Sequence, residues 1–166
     1  MAVKILTIST GKCSNISLSN SFQEEEKTIL SAIAKTTVSS IDNQVVIRCG
    51  LESLQGDEHA DLSVHGGQAK AIYCYPVEHY DYWRNAVGAS DMRLSRLDQH
   101  SALGENLTIE GIVEDQVFVG DVWKINDAEF DLTAPREPCF KFNAIMVDPL
   151  LEKRCFLRDC VDGIFQ

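Results

Sequence analysis

Along most of this chain apolar and polar positions alternate over short stretches, with the period of strands rather than helices. Val3–Ile8 (VKILTI) is a β-branched run that predicts an opening strand. The Ser-, Asn- and Gly-rich stretch Gly11–Gln23 reads as a loop. Lys27–Lys35 (KTILSAIAK) fits a strand or a helical turn, and the TTVSS that follows favours the strand. Val45–Arg48 (VVIR) is another strand candidate. Gly50–Gly67 carries Gly, Asp and His without periodicity and reads as a structured loop. Ala71–Tyr75 (AIYCY) reads as a buried strand ended by Pro76. One segment has clear helical spacing: Val77, Tyr80, Trp83 with Arg84, and Val87 recur along VEHYDYWRNAV, and Gly88 closes it.

In the second half, Asn106–Ile109 and Val117–Val119 are strand candidates flanking Glu110-Gly111. Gly120-Asp121 and Asn126-Asp127 are turn signals around Val122–Ile125, and Glu129–Leu132 follows. Short strands at regular spacing with one or two helices predict a mainly β (α+β) fold, a β-barrel with a few short helices. No repeat or linker interrupts the pattern, so the chain reads as a single domain over residues 1–166.

The 45% apolar and 24% charged composition is that of a folded globular protein and argues against disorder. Charge changes the picture more. Fifteen Lys and Arg against twenty-five Asp and Glu leave −10, which argues against bulk binding of nucleic acid or an anionic membrane. A small anionic ligand in a locally basic pocket stays compatible. The six cysteines (13, 49, 74, 139, 155, 160) form no CxxC pair, so a structural zinc site is not expected. No apolar run approaches the roughly 20 residues of a membrane helix, and MAVKILTIST lacks the marks of a signal peptide. A cytoplasmic protein with free thiols is the expectation.

Three segments are candidates for chemistry. In GDEHADLSVHGGQAKA (Gly56–Ala71), His65-Gly66-Gly67 lets backbone approach a ligand, its N–H groups are able to cradle an anion, and Lys70 adds a point charge. The alternative is a turn before a strand with a surface histidine. In LGENLTIEG (Leu103–Gly111), Glu105 and Asn106 are expected to support loop backbone. In TAPREPCFKFNAIM (Thr133–Met146), Pro138 suits the first position of a helix through Phe140–Met146. Cys139 then falls in its first turn, where the helix end, Arg136 and Lys141 favour thiolate. A buried apolar cysteine is the alternative there, and Cys74 inside AIYCY is expected in the core.

Taken in order, GDxxAD, VHGGxxKA, GENLT and PRxPCFKxN resemble the MOSC domain, named for the C-terminal domain of molybdenum cofactor sulfurase. The similarity spans about Lys4 to about Asn143 and is closest to the stand-alone bacterial branch that includes hydroxylaminopurine reductase. The resemblance implies a β-barrel-like fold and a cleft for a molybdopterin-type molybdenum cofactor. It implies that Cys139 is the catalytic metal ligand or a sulfur carrier. It implies cofactor contacts from His65, Gly66, Gly67, Lys70, Arg136 and Asn143, with Lys35 matching a basic position of an early strand. The implied activity is reduction of N-hydroxylated compounds, such as hydroxylaminopurines, to amines. Electrons would come from a separate flavin or iron–sulfur donor protein. A persulfide carrier on Cys139 and a non-catalytic cofactor carrier are the other roles the resemblance allows. Pyridoxal phosphate belongs to the partner domain of full-length sulfurases and is not expected here. The chain departs from the family in carrying Ala69 where Asp is common, and Thr36-Thr37 where a proline often stands. Relatives of that branch usually continue past the position of Gln166 into a last strand and a small helical tail.

Overall fold

The computed structural model describes residues 3–18, 27–86, 95, 97–136 and 139–146. Eight short strands and two short α-helices lie among them: β1 (Lys4–Thr10), β2 (Ser14–Leu18), β3 (Lys27–Ser31), β4 (Thr36–Ser40), β5 (Cys74–Pro76), α1 (Tyr80–Ala86), β6 (Leu107–Glu110), β7 (Val122–Ile125), β8 (Ala128–Asp131) and α2 (Phe140–Met146). The mainly β character read from the alternation holds.

The expected barrel does not close among the described residues. The strands form one four-stranded sheet in the order β4-β1-β6-β5 and two separate antiparallel pairs, β2-β3 and β7-β8. β1 is the pivot, antiparallel to β4 on one side and to β6 on the other. Both ladders slip by a residue, between Ile8 and Ser9 against β4 and between Ile5 and Thr7 against β6. Such irregularities bend a strand and raise its twist, which curls this sheet without closing it. β5 joins β6 in parallel, with Cys74 opposite Leu107 and Pro76 opposite Ile109. Pro76 sits at the strand's end on the outer edge, where its missing N–H breaks no ladder.

Other local expectations shift. Val45–Arg48 is not a strand despite its β-branched residues; Val46 is 98% exposed, with no neighbouring strand to pair its backbone. Val117–Val119 likewise forms no strand and follows a 3-10 turn at Glu114–Gln116. The polar stretch expected to be a loop contains β2, which pairs in unbroken register with β3, Ser14 opposite Ser31 through Leu18 opposite Lys27. The helix read over Val77–Val87 begins as a 3-10 turn at Val77–His79 and becomes α-helical from Tyr80; Val87 and Gly88 lie outside the described residues.

Among the described residues two large apolar clusters carry most of the packing, beside a small third one at Val117 and Leu132. One joins α1, α2 and the β5 end through Tyr75, Tyr80, Trp83, Leu103, Phe142 and Met146. Its centre is an edge-on contact of Trp83 with Phe142 at 5.2 Å. The other packs Leu54, Ile72, Cys74, Leu107 and Ile109 between the main sheet and the β7-β8 hairpin. Cys74 is buried in it, and burial pushes its thiol up to about 12, so it is the inert core cysteine expected.

Candidate functional site

An open cleft is lined by Lys35, before β4, and by His59, Ala60, His65, Gly66, Lys70, Tyr73, Arg136 and Lys141. Lys35, His65, Gly66, Lys70 and Arg136, far apart in the chain, come together here. Gly67 and Cys139 are not among the lining residues. Asn143 stands on α2 two residues after Lys141, and its side chain lies outside what is described.

The deep wall is a buried polar knot. Lys35 Nζ donates to both carboxylate oxygens of Asp57, at 2.7 and 2.9 Å, and both side chains are almost wholly buried. Asp57 also accepts from the Gly11 amide at 2.6 Å and from Asn106 Nδ2 at 2.8 Å. Asn106 reaches further, donating to the Ser9 carbonyl and accepting from the Tyr73 amide. Burial lowers the Lys35 ammonium, and the Asp57 charge opposes it. Gly11 is required at its position because a Cβ there would stand 2.2 Å from the Ala32 carbonyl oxygen.

The opposite wall is built by the HGG turn. The His65 amide closes a turn on the Asp61 carbonyl at 2.8 Å. Gly66 has φ +118°, and a Cβ there would meet Leu62 at 2.8 Å and the His59 ring at 3.0 Å, so only glycine fits. Lys70 reaches back to the Val64 carbonyl at 2.9 Å. Arg136 lies over the Tyr73 ring, 5.2 Å from its centroid, and approaches His65 Nδ1 at 3.3 Å. Burial, then Arg136, Lys141 and Lys70, push His65 down to about 4. His65 is therefore neutral near pH 7 and accepts from the guanidinium.

Cys139 is half-buried and immediately precedes α2 rather than lying in its first turn; its carbonyl accepts from the Phe142 amide at 2.8 Å. Glu137 and Pro138 lie outside the described residues. Glu105 has the supporting role expected of it. Fully buried, it accepts from Tyr80 Oη, from the Leu103 amide at 3.0 Å and from Thr108 Oγ1 at 3.0 Å. Burial raises its carboxyl while these donors oppose the rise.

Asp57, His59, Tyr73 and Asn106 were not singled out as site residues by sequence reasoning. The only local signal for Asp57 was its place in GDxxAD, because its partners stand 22, 46 and 49 residues away.

The residues present fit an anionic cofactor. Four cations share one cleft, while the carboxylate of Glu58 is engaged by Lys12 Nζ at 2.9 Å and the Cys13 amide at 2.8 Å. One buried polar atom of the lining residues, His59 Nε2, has no protein partner.

A cationic cleft behind a glycine turn, on a small mixed sheet, defines the class by comparison with known proteins. The MOSC domain model matches residues 61–157, more than half of the chain, and the chain belongs to that family. It is 42% identical over 90 residues to the uncharacterised YflK of Bacillus subtilis, covering 54% of this chain and 38% of that protein. It is 39% identical over 114 residues to protein YiiM of Escherichia coli, covering 68% and 46%. A protein of Gibberella moniliformis named reductase is 36% identical over 107 residues, covering 64% and 18%. The crystal structure of YiiM from Geobacillus stearothermophilus superposes with a TM-score of 0.66 at 25% identity, covering 99% of this chain and 67% of that one. The matched regions thus span less than half the length of these curated relatives. Among the described residues no helix is long and apolar enough to cross a membrane.

Proposed function

We propose that this MOSC domain holds a molybdopterin-type molybdenum cofactor in the cleft and serves the reduction of N-hydroxylated compounds to amines. The observation that carries the reading is the convergence of Lys35, Lys70, Arg136 and Lys141 on one cleft of a protein whose net charge is −10. Such a local reversal of sign suits a phosphate-bearing ligand. When bound, the cofactor supplies two-electron oxygen-atom chemistry.

The chain's own residues bind and orient. Arg136, stacked on Tyr73, offers N–H groups in a fixed plane, and Lys70 and Lys141 act as point charges. Neutral His65 keeps its Nδ1 free to hold the guanidinium and adds no charge of its own. Cys139 offers a soft sulfur donor beside α2. A relative named reductase supports the oxidoreductase reading. The electrons come from a separate flavin or iron–sulfur donor protein, the substrate is a small N-hydroxylated molecule, and the setting is the cytoplasm.

Elemental analysis of protein from a cofactor-competent host tests this, wild type beside Cys139→Ala and Arg136→Ala. Stoichiometric molybdenum in the wild type, lost in both variants, is the expected result, followed by turnover of N-hydroxylated bases only in the wild type. Molybdenum absent from the wild type refutes it. Equal metal in wild type and Cys139→Ala would leave a cofactor carrier with Cys139 a bystander.

One observation favours a second reading, sulfur carriage on a Cys139 persulfide: Cys139 is partly exposed and is not among the residues that line the cleft. Mass spectrometry after incubation with a cysteine desulfurase and free cysteine, which supplies the sulfur, reads it directly. An unmodified Cys139 excludes it.

A further inference from the structure

A lysine buried at the wall of a ligand cleft faces two losses. Desolvation favours its neutral form, and its long side chain has many rotamers to choose among. Lys35 escapes both through one neighbour. Asp57 takes two of its three N–H donors at 2.7 and 2.9 Å, and is itself clamped by the Gly11 amide and by Asn106 Nδ2. Asn106 is tied in turn to Ser9 and Tyr73, on either side of β6. The carboxylate is thus fixed by two separate stretches of chain, at Gly11 and at Asn106, before any ligand arrives, and Lys35 is fixed by the carboxylate.

We infer that Asp57 is the positioning residue that holds the Lys35 ammonium in place and charged at the cleft wall. Asp57 does not line the cleft. It acts through Lys35, whose remaining N–H is available to an anion. The inference rests on the cleft being an anion site, as proposed above, and names the residue that presets one of its cations.

The charged surroundings of Lys35 define the expected behaviour. Besides Asp57, Glu105 favours its charge and Arg136 disfavours it. Across the cleft stand Lys70, Lys141, Glu58, His59 and His65, the last neutral above about pH 5. The variants share every one of these groups, so the pH slope of anion binding between about pH 6 and about pH 9 is read as a difference between them. Without Asp57, burial and Arg136 act on Lys35 with only Glu105 opposing them, and its proton is held less firmly as pH rises.

The test is sulfate binding to the full chain by titration calorimetry, because sulfate keeps its charge throughout this range. Wild-type affinity stays within about twofold from about pH 6 to about pH 9, whereas Asp57→Asn loses on the order of tenfold over the same span, the worth of one charge-assisted hydrogen bond. Lys35→Met is weak and flat, and Asp57→Asn at the high-pH end matches it. A purely structural Asp57 would lower the melting temperature and leave no pH slope; parallel curves for wild type and Asp57→Asn overturn the inference. Should Asp57→Asn not fold, the 13Cε resonance of Lys35 in lysine-labelled wild type, assigned with Lys35→Arg, decides. No titration below about pH 9 supports the inference, and a midpoint below that value overturns it. A wild type that binds sulfate but carries no molybdenum fails the cofactor proposal alone. A wild type that binds no sulfate fails the anion-site reading, and the lysine titration still judges Asp57.

Discussion

Gly104→Ala is the sharpest probe of how the GENLT segment shapes the cleft. Gly104 has φ +87°, and an added Cβ would lie 2.6 Å from Ile33 Cγ1 and 3.3 Å from the Ile33 carbonyl oxygen. Left-handed backbone costs an alanine about 1–2 kcal/mol. Overpacking against Ile33 adds about 1–3 kcal/mol, and the reduced freedom of the unfolded chain returns about 0.4–1 kcal/mol. The net is a destabilisation of roughly 2–4 kcal/mol, or on the order of 5–15 °C in Tm for a chain of this size. Gly67→Ala is the internal control. Its φ is +79°, but a Cβ there meets nothing within 4 Å, so only the backbone cost of about 1 kcal/mol remains. Urea denaturation followed by circular dichroism measures both, read at constant m. Adding Ile33→Ala removes the 2.6 Å contact, so the double variant should be more stable than the sum of the singles by about 1–2 kcal/mol. Strict additivity, or equal losses for Gly104→Ala and Gly67→Ala, would refute the steric argument.

Three further outcomes follow from the buried polar groups. Burial raises Glu105, so the native state holds its proton to a higher pH than the unfolded chain does. Its contribution to stability is then complete below the unfolded value of about 4.3 and declines as pH rises through the raised one. The difference in urea midpoint between wild type and Glu105→Gln should shrink with that sign, and parallel pH curves would contradict it. His65, with a folded value of about 4, should keep a neutral imidazole at pH 6 by NMR, and Arg136→Gln should move its midpoint upward. Because that value lies below the unfolded one, its contribution is lost as pH falls from about 6.5 toward about 4. Tyr75→Phe removes the acceptor of the buried Trp83 indole N–H, 2.6 Å away, and should cost about 1–3 kcal/mol with a change in near-ultraviolet dichroism; an unchanged midpoint would show the bond carries no net stability.

Some of this protein is written in local sequence. The alternation of VKILTI yields β1, the Tyr80–Trp83–Arg84 spacing yields α1, and FKFNAIM yields α2, because strand and helix periods act over a few neighbouring residues. The ordered HGG, GENLT and PC motifs likewise pointed to the MOSC family and to four of the residues that meet in the cleft, His65, Gly66, Lys70 and Arg136, with Lys35 matched separately in an early strand. Cys139 and Gly67, named by the same motifs, are not in its lining. Tertiary structure alone decided the rest. SNISL looked like a loop until β3 gave it a partner, and VVIR looked like a strand but found none, since a strand exists only through a neighbour's hydrogen bonds. The two register shifts in β1 arise against its partners β4 and β6, and no local pattern announces them. Asp57 became the holder of Lys35 only when folding brought Gly11, Lys35 and Asn106 around one buried carboxylate. A buried charge is tolerable only with its partners in place, and those partners are chosen by the packing of distant segments rather than by the residues beside it.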